Sequence, residues 1–115
     1  MIMAGFEGTA VTPQTEDMIR NRHIGGLILF GRNYENPVQL LRLIRDLQTL
    51  ALSTTLRQPL FISVDQEGGR VARLKKPFTD YPPVCCLGAA GSEDLAYRFG
   101  KALARELKSV GVNKD

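Results

Sequence analysis

Two cysteines in 115 residues are too few for the cross-links of a disulfide scaffold. The sequence also lacks a long apolar run: its longest, Ile24–Phe30, is seven residues with two glycines inside it. A membrane-spanning helix needs roughly twenty. No basic flank precedes the apolar start Met1–Phe6, and Glu7 closes that start early, so it does not read as a signal peptide. Internal repeats and low-complexity linkers are absent as well. The densest basic window, Arg70, Arg73, Lys75 and Lys76, has no aromatic residues interleaved to stack bases, and Asp65 and Glu67 stand just before it. A formal charge of +3 and a pI near 9.1 therefore read as solvated faces rather than a nucleic-acid surface. What is present, 43% hydrophobic and 23% charged residues, describes one soluble globular domain at most, expected to be intracellular. A chain of this size buries roughly two-thirds of its unfolded surface.

Short apolar runs alternate with helical patterns along the chain. Met1–Phe6, Leu27–Phe30 and Leu60–Val64 are nearly continuously apolar, as strands buried on both faces of a parallel sheet are. A first helix is expected from the N-cap Thr12 and Pro13 at its first position, with Gly25 suited to the stop and Gly26 to the next strand. A second begins at Asn36-Pro37, with Gln39 completing a variant of the capping box. Leu40, Leu43, Ile44, Leu47, Leu50 and Ala51 form its buried stripe. A third starts at Ser92, carries Glu93 and Asp94 in its first turn and Arg105 and Lys108 near its end, and shows an apolar face of Leu95, Phe99, Leu103 and Leu107. Gly111 can end it, and residues 112–115 read as the start of a fourth strand. The order β-α-β-α-β-loop-α argues for an α/β fold. A parallel sheet this small with both edges open reads as the N-terminal part of a longer protein.

In parallel α/β folds the chemistry gathers at the C-terminal ends of the strands. Three segments qualify: Glu7-Gly8-Thr9, Gly31-Arg32-Asn33-Tyr34, and Asp65-Gln66-Glu67-Gly68-Gly69-Arg70-Val71-Ala72-Arg73. The last opens a 26-residue connection, 66 to 91, and connections of that length are usually functional. Asp65 closes an apolar strand, so its carboxylate is expected to face the space the strand ends surround. Gly68 and Gly69 permit backbone angles that other residues resist. Arg70 and Arg73 bring planar donor forks within reach of Asp65, Glu67 or a ligand. A carboxylate and a guanidinium facing one pocket suit a polyhydroxylated ligand such as a sugar, whose hydroxyls both donate and accept. A loop merely pinned by salt bridges uses the same residues, and spacing leaves both readings open. The role of Arg32, Asn33 and Tyr34 is open too.

Asp65–Arg73 resembles the D-x-E-G-G-R-V-x-R signature of glycoside hydrolase family 3, and within it the bacterial β-N-acetylhexosaminidases of peptidoglycan recycling. Ile24–Phe30 with Arg32-Asn33, Pro82-Pro83 with Leu87-Gly88-Ala89, and Gly111-Val112-Asn113 follow in the family's order, so the resemblance covers essentially the whole chain. It implies the N-terminal part of a (β/α)8 TIM-type barrel, with about three βα units and the start of strand 4 in residues 1–115. It further implies that Asp65 and Arg73 bind the sugar in the −1 subsite and that Glu67, Gly68, Gly69 and Arg70 support the loop. The implied reaction is release of terminal β-N-acetylglucosamine from a muropeptide or chitooligosaccharide by a retaining mechanism, in the cytoplasm, with no cofactor and no metal. A family 3 β-glucosidase and a non-catalytic sugar-binding half-barrel are the alternatives.

The retaining chemistry needs a carboxylate nucleophile and an acid/base. In the hexosaminidase branch the latter is typically a histidine of a Lys-His…Gly-His loop, and both groups belong to later strands. The one histidine here, His23, falls at the N-terminal side of strand 2, the wrong end for catalysis. The chain by itself is therefore expected to be inactive, with no catalytic residue of its own. Two positions depart from the family: Lys114, where strand 4 usually holds an apolar or small residue, and Cys85-Cys86, which read as small buried thiols in a loop. Gly88-Ala89-Ala90-Gly91-Ser92 reads as helix capping rather than an anion site, since Glu93 and Asp94 follow.

Overall fold

The computed structural model of the chain describes residues 2–115; Met1, assigned from sequence to the first strand, lies outside them. Strands β1 (Met3–Gly5), β2 (Gly26–Leu29) and β3 (Phe61–Val64) form a parallel sheet in that order. Met3 pairs with Gly26, and Gly26 with Phe61, which sets the register across the sheet. Leu27, Leu29, Ile62 and Val64 are fully or almost fully buried, as near-continuous apolar runs require. Parallel neighbours need crossovers, and helices supply them: α1 (Pro13–Arg20) after β1 and α2 (Pro37–Leu52) after β2.

Both helices start where their local chemistry dictates. Thr12 Oγ1 accepts the Thr15 N–H at 3.2 Å, and Asn36 Oδ1 accepts the Gln39 N–H at 2.9 Å, each followed by proline at the first helical position. The capping box of α2 closes differently from the pattern, because Gln39 Oε1 accepts from Glu35 N rather than from Asn36 N. Gln39 Nε2 donates instead to Thr9 O and Asn33 O, tying together the loops after β1 and β2. Leu40, Leu43, Ile44, Leu47 and Ala51 are buried, and Leu50 packs at the edge of the same cluster.

Helix α1 stops at Arg20, well short of Gly25. The Asp17 carboxylate causes the early reversal: it accepts from Asn21 Nδ2 at 2.7 Å and from Arg22 Nε at 2.8 Å, folding the next turn back on the helix end. These two hydrogen bonds hold the Asp17 carboxyl below its ordinary range. His23 then takes φ +50°, and Gly25 N already donates to Ile2 O beside the sheet.

The connection from 66 to 91 carries structure that its sequence did not announce. Strands β4 (Gln66–Gly68) and β5 (Val71–Ala72) form an antiparallel hairpin turned by Gly68 and Gly69, both at positive φ. A short helix, α3 (Cys85–Ala90), follows and buries none of its residues. Cys85 and Cys86 are consequently exposed thiols in a helical turn, not buried thiols in a loop. A small apolar side chain is buried only when another element covers it, and among the described residues no element covers Cys85 or Cys86. Gly91, at φ +59°, ends that helix, and Ser92 Oγ caps the next by accepting from Leu95 N.

Helix α4 (Glu93–Ser109) meets the core through its C-terminal half. Leu103 and Leu107 are buried and Phe99 packs edge-on against Tyr81 at 5.0 Å, whereas Leu95 is 38% exposed, because the core ends before the first turns of the helix. Its end is a Schellman turn: Gly111 N donates to Lys108 O and Val112 N to Leu107 O, with Gly111 at φ +93°. Residues 112–115 then run parallel beside β3. Lys114 N donates to Ile62 O, Val64 N to Lys114 O, and Ile62 N to Asn113 Oδ1, which begins a fourth strand at this edge.

Candidate functional site

Parallel order places the C-terminal ends of β1, β2 and β3 side by side, and short-range polar bonds lock their loops together. Asn33, in a single 3-10 turn (Gly31–Asn33), is fully buried, and its carboxamide is hydrogen-bonded at both its oxygen and its nitrogen. Its Oδ1 accepts from Phe30 N, and its Nδ2 donates to Phe6 O and Gly8 O. Arg32 lies 4.6 Å from the centre of the Phe30 ring and donates from Nε to Phe6 O at 3.0 Å and to Glu7 Oε1 at 2.9 Å. The Tyr34 hydroxyl lies 3.0 and 3.1 Å from the carbonyls of Lys75 and Lys76, and burial raises its pKa above the usual phenol range. Asn33 and Arg32, whose roles spacing left open, thus brace the ends of β1 and β2 against each other, and Tyr34 fastens the loop after β2 to the segment after β5.

Asp65 extends from the end of β3, and Arg73 follows β5. The hairpin brings them together: Arg73 Nη2 is 3.5 Å from Asp65 Oδ2, with the side chains 34% and 42% exposed. That separation is longer than a well-made charged hydrogen bond, so both groups keep bonding capacity. Arg73 Nε is buried and has no hydrogen-bond partner among the described residues.

The other motif residues divide by what their atoms do. Glu67 and Arg70 are exposed and hold no ion pair among the described residues; Glu67 contributes its backbone oxygen, which accepts from Val84 N. Gly68 and Gly69 let the segment Tyr81–Pro83 cross the hairpin. A Cβ at Gly68 would overlap Pro82 O and lie 2.8 Å from Tyr81 O, and one at Gly69 would overlap the Pro83 ring. Gly69 N donates to Tyr81 O at 2.9 Å across this crossing. Arg70, Arg73, Lys75 and Lys76 line an open groove with Gly31, Tyr34 and Glu35, so the densest basic window of the sequence faces one hollow.

The residue that sequence reasoning passed over is Gln66. It is 3% exposed; its Oε1 accepts from Arg73 N at 2.8 Å and Leu74 N at 3.0 Å, and its Nε2 donates to Leu74 O at 3.0 Å. A polar residue two positions past the end of a buried strand was the available signal. His23 is exposed beyond the opposite ends of the strands, away from this site. No group of three or more His, Cys, Asp or Glu side chains among the described residues is placed to hold a metal ion. No helix there is long and apolar enough to cross a membrane. Chemically, the site offers one carboxylate and one guanidinium, each partly open, on a braced platform of strand ends.

Residues 2–115 match the family model described as the glycosyl hydrolase family 3 N terminal domain. The chain belongs to glycosyl hydrolase family 3. It is 39% identical to a beta-hexosaminidase of Nitrosomonas eutropha over 118 residues, which span 97% of this chain and 32% of that relative. A family 3 beta-N-acetylglucosaminidase from Paenibacillus sp. str. FPU-7 superposes with a TM-score of 0.90 at 40% identity, over 96% of this chain and 21% of that one. NagZ from Neisseria gonorrhoeae, solved with N-trifluoroacetyl-D-glucosamine, gives 0.83 at 34% identity, over 96% of this chain and 33% of its own. The chain therefore has the fold of the N-terminal part of a family 3 TIM-type barrel. It spans about a third of the length of the curated relatives it matches.

Proposed function

We propose that this chain is the N-terminal third of a β-N-acetylglucosaminidase and supplies part of its −1 sugar site. The observation that carries the reading is the Asp65–Arg73 pair, a carboxylate and a guanidinium 3.5 Å apart at the C-terminal end of a barrel strand. Asp65 accepts hydrogen bonds from sugar hydroxyls, and Arg73 donates to their oxygens, so a ligand rich in hydroxyls satisfies both at once. The names of the relatives, beta-hexosaminidase and beta-N-acetylglucosaminidase, support a 2-acetamido sugar in that position.

The rest of the barrel supplies the chemistry. A carboxylate from a later strand attacks the anomeric carbon and forms a glycosyl-enzyme, and a histidine from a later loop protonates the leaving oxygen and then activates water. Asp65 is not that nucleophile in this account; its role is to hold the sugar, and the 115-residue segment alone is inactive. The open edge of residues 112–115, with the apolar groove beside it lined by Ala104, Leu107 and Val112, suits the packing of the following βα units.

The reading is tested with the full-length protein on a matched pair of chromogenic substrates. The 4-nitrophenyl β-glycoside of N-acetylglucosamine is expected to be cleaved with kcat/KM at least about a hundredfold above that of the β-glucoside. A preference for the glucoside overturns the hexosaminidase assignment, and no hydrolysis of either overturns the enzyme reading.

A further inference from the structure

We propose that Gln66 is the positioning residue of the sugar site, a strut that sets the geometry of Arg73 opposite Asp65. This rests on the reading that Asp65 and Arg73 hold the sugar. Gln66 adjoins Asp65 in the chain, and its carboxamide bonds the backbone on both sides of the Arg73–Leu74 peptide. The hairpin itself cannot fix Arg73. Its strands are three and two residues long, and their register is irregular between Gln66 and Gly68. Two ladder pairs, Gln66 with Ala72 and Gly68 with Val71, end before Arg73 is reached. Beyond Ala72 the backbone is held to β4 by the Gln66 side chain.

The carboxamide is suited to this task because it must accept and donate at once. Its oxygen takes two N–H groups and its NH2 serves Leu74 O, so every partner in this buried pocket is satisfied. The backbone of Gln66 is fixed in turn, since its N–H donates to Asp115 Oδ1 at 2.9 Å. Asp65, Gln66, Arg73 and Asp115 thus form one connected unit across β3, the hairpin and the start of the fourth strand. Displacing a binding group by about 1 Å can cost a hundredfold in rate.

The chemistry of Gln66 also supplies the test. Gln66→Glu keeps the size of the side chain but, when ionised, points a carboxylate oxygen at Leu74 O with no proton between them. When protonated, the acid donates to Leu74 O and accepts from Arg73 N and Leu74 N, as the amide does. Burial and the neighbouring Asp65 and Asp115 carboxylates favour the neutral form, and Arg73 with the two backbone N–H groups that bond the side-chain oxygen opposes them. In the full-length protein, Gln66→Glu is expected to lower kcat/KM for the N-acetylglucosaminide about ten- to a hundredfold at pH 8. By pH 5 it should recover to within about threefold of the unsubstituted protein at the same pH. Gln66→Met, which can neither donate nor accept strongly, should stay low at both pH values.

A loss in Gln66→Glu that is the same at pH 5 and pH 8, or a Gln66→Met protein with normal kcat/KM, overturns the strut. The pH series is read within one folded protein, so it stands even if Gln66→Met fails to fold. Amide hydrogen exchange separates the two levels of the argument. Selectively faster exchange of the Arg73 and Leu74 amides in Gln66→Met, which removes the oxygen that accepts from them, alongside normal kinetics for Asp65→Ala, would retain the strut and remove the sugar-holding pair. Unchanged exchange there overturns the strut itself.

Discussion

Replacing Asp65 by alanine in the full-length protein is expected to lower kcat/KM for an N-acetyl-β-glucosaminide by about 10²–10⁴-fold, with little change in stability. The two halves of this expectation have different sizes because they draw on different interactions. A hydrogen bond to a charged group contributes about 1.5–3 kcal/mol, and a carboxylate that accepts from two sugar hydroxyls loses about 3–6 kcal/mol on removal, which is the stated range. The Asp65–Arg73 contact within the protein is different in kind. At 3.5 Å, with both side chains more than a third exposed, it is a surface-type ion pair, for which about 0–1 kcal/mol is typical. If the pair only pinned the loop, Asp65→Ala would cost that small stability and leave kcat/KM within about twofold. Asp65→Asn should fall between the two proteins, since the amide keeps one acceptor oxygen and loses the charge.

The second large effect is structural, and it separates two glycines twenty residues apart. Gly68→Ala is expected to destabilise the protein by about 2–5 kcal/mol, combining left-handed backbone at about 1–2 kcal/mol with overpacking at about 1–3 kcal/mol. Gly68 has φ +81°, and its new Cβ would meet the backbone oxygens of Pro82 and Tyr81, which cannot step aside as a flexible side chain can. Relief requires moving the Tyr81–Pro83 segment, and with it the Gly69 N to Tyr81 O bond that clamps the hairpin. Sugar binding should weaken along with stability, because the hairpin carries Arg73. Gly88 is the control: it lies in α3 with open space where a Cβ would go. Gly88→Ala should stabilise by about 0.4–1 kcal/mol through helix propensity and reduced freedom of the unfolded chain. Denaturant midpoints of the two variants are expected to move in opposite directions. Equal shifts would mean that the hairpin crossing is not as tight as described.

What the sequence could disclose follows from the range of the physics involved. Thr12-Pro13 and Asn36-Pro37 announce helix starts because a cap and its first turn are chemistry within four residues. The stripe from Leu40 to Ala51 is legible because one long helix repeats its period several times. The hairpin escaped because strands of three and two residues carry no period to read. Asp65 and Arg73 were visible as residues, but their approach depends on two glycines and a buried carboxamide acting together. Gln66 was hidden by its neighbours, since a polar side chain between two carboxylates looks solvated until its partners are placed. The end of α1 misled for a related reason. Gly25 is the conventional stop, but the Asp17 contacts with Asn21 and Arg22 turn the chain first, and His23 takes the positive φ. Cys85 and Cys86 show the limit of composition rules, which describe how often a thiol is buried and not whether anything lies above it.

The most direct test of the central claim is a crystal structure of the full-length protein with N-acetylglucosamine bound. The account predicts the sugar at the C-terminal ends of the strands, with Asp65 accepting from its hydroxyls and Arg73 donating to its oxygens. Gln66 should still bond the Arg73–Leu74 backbone in that structure. A sugar bound elsewhere, with Asp65 and Arg73 engaged only with each other, would contradict the account and leave the pair as a loop fastening.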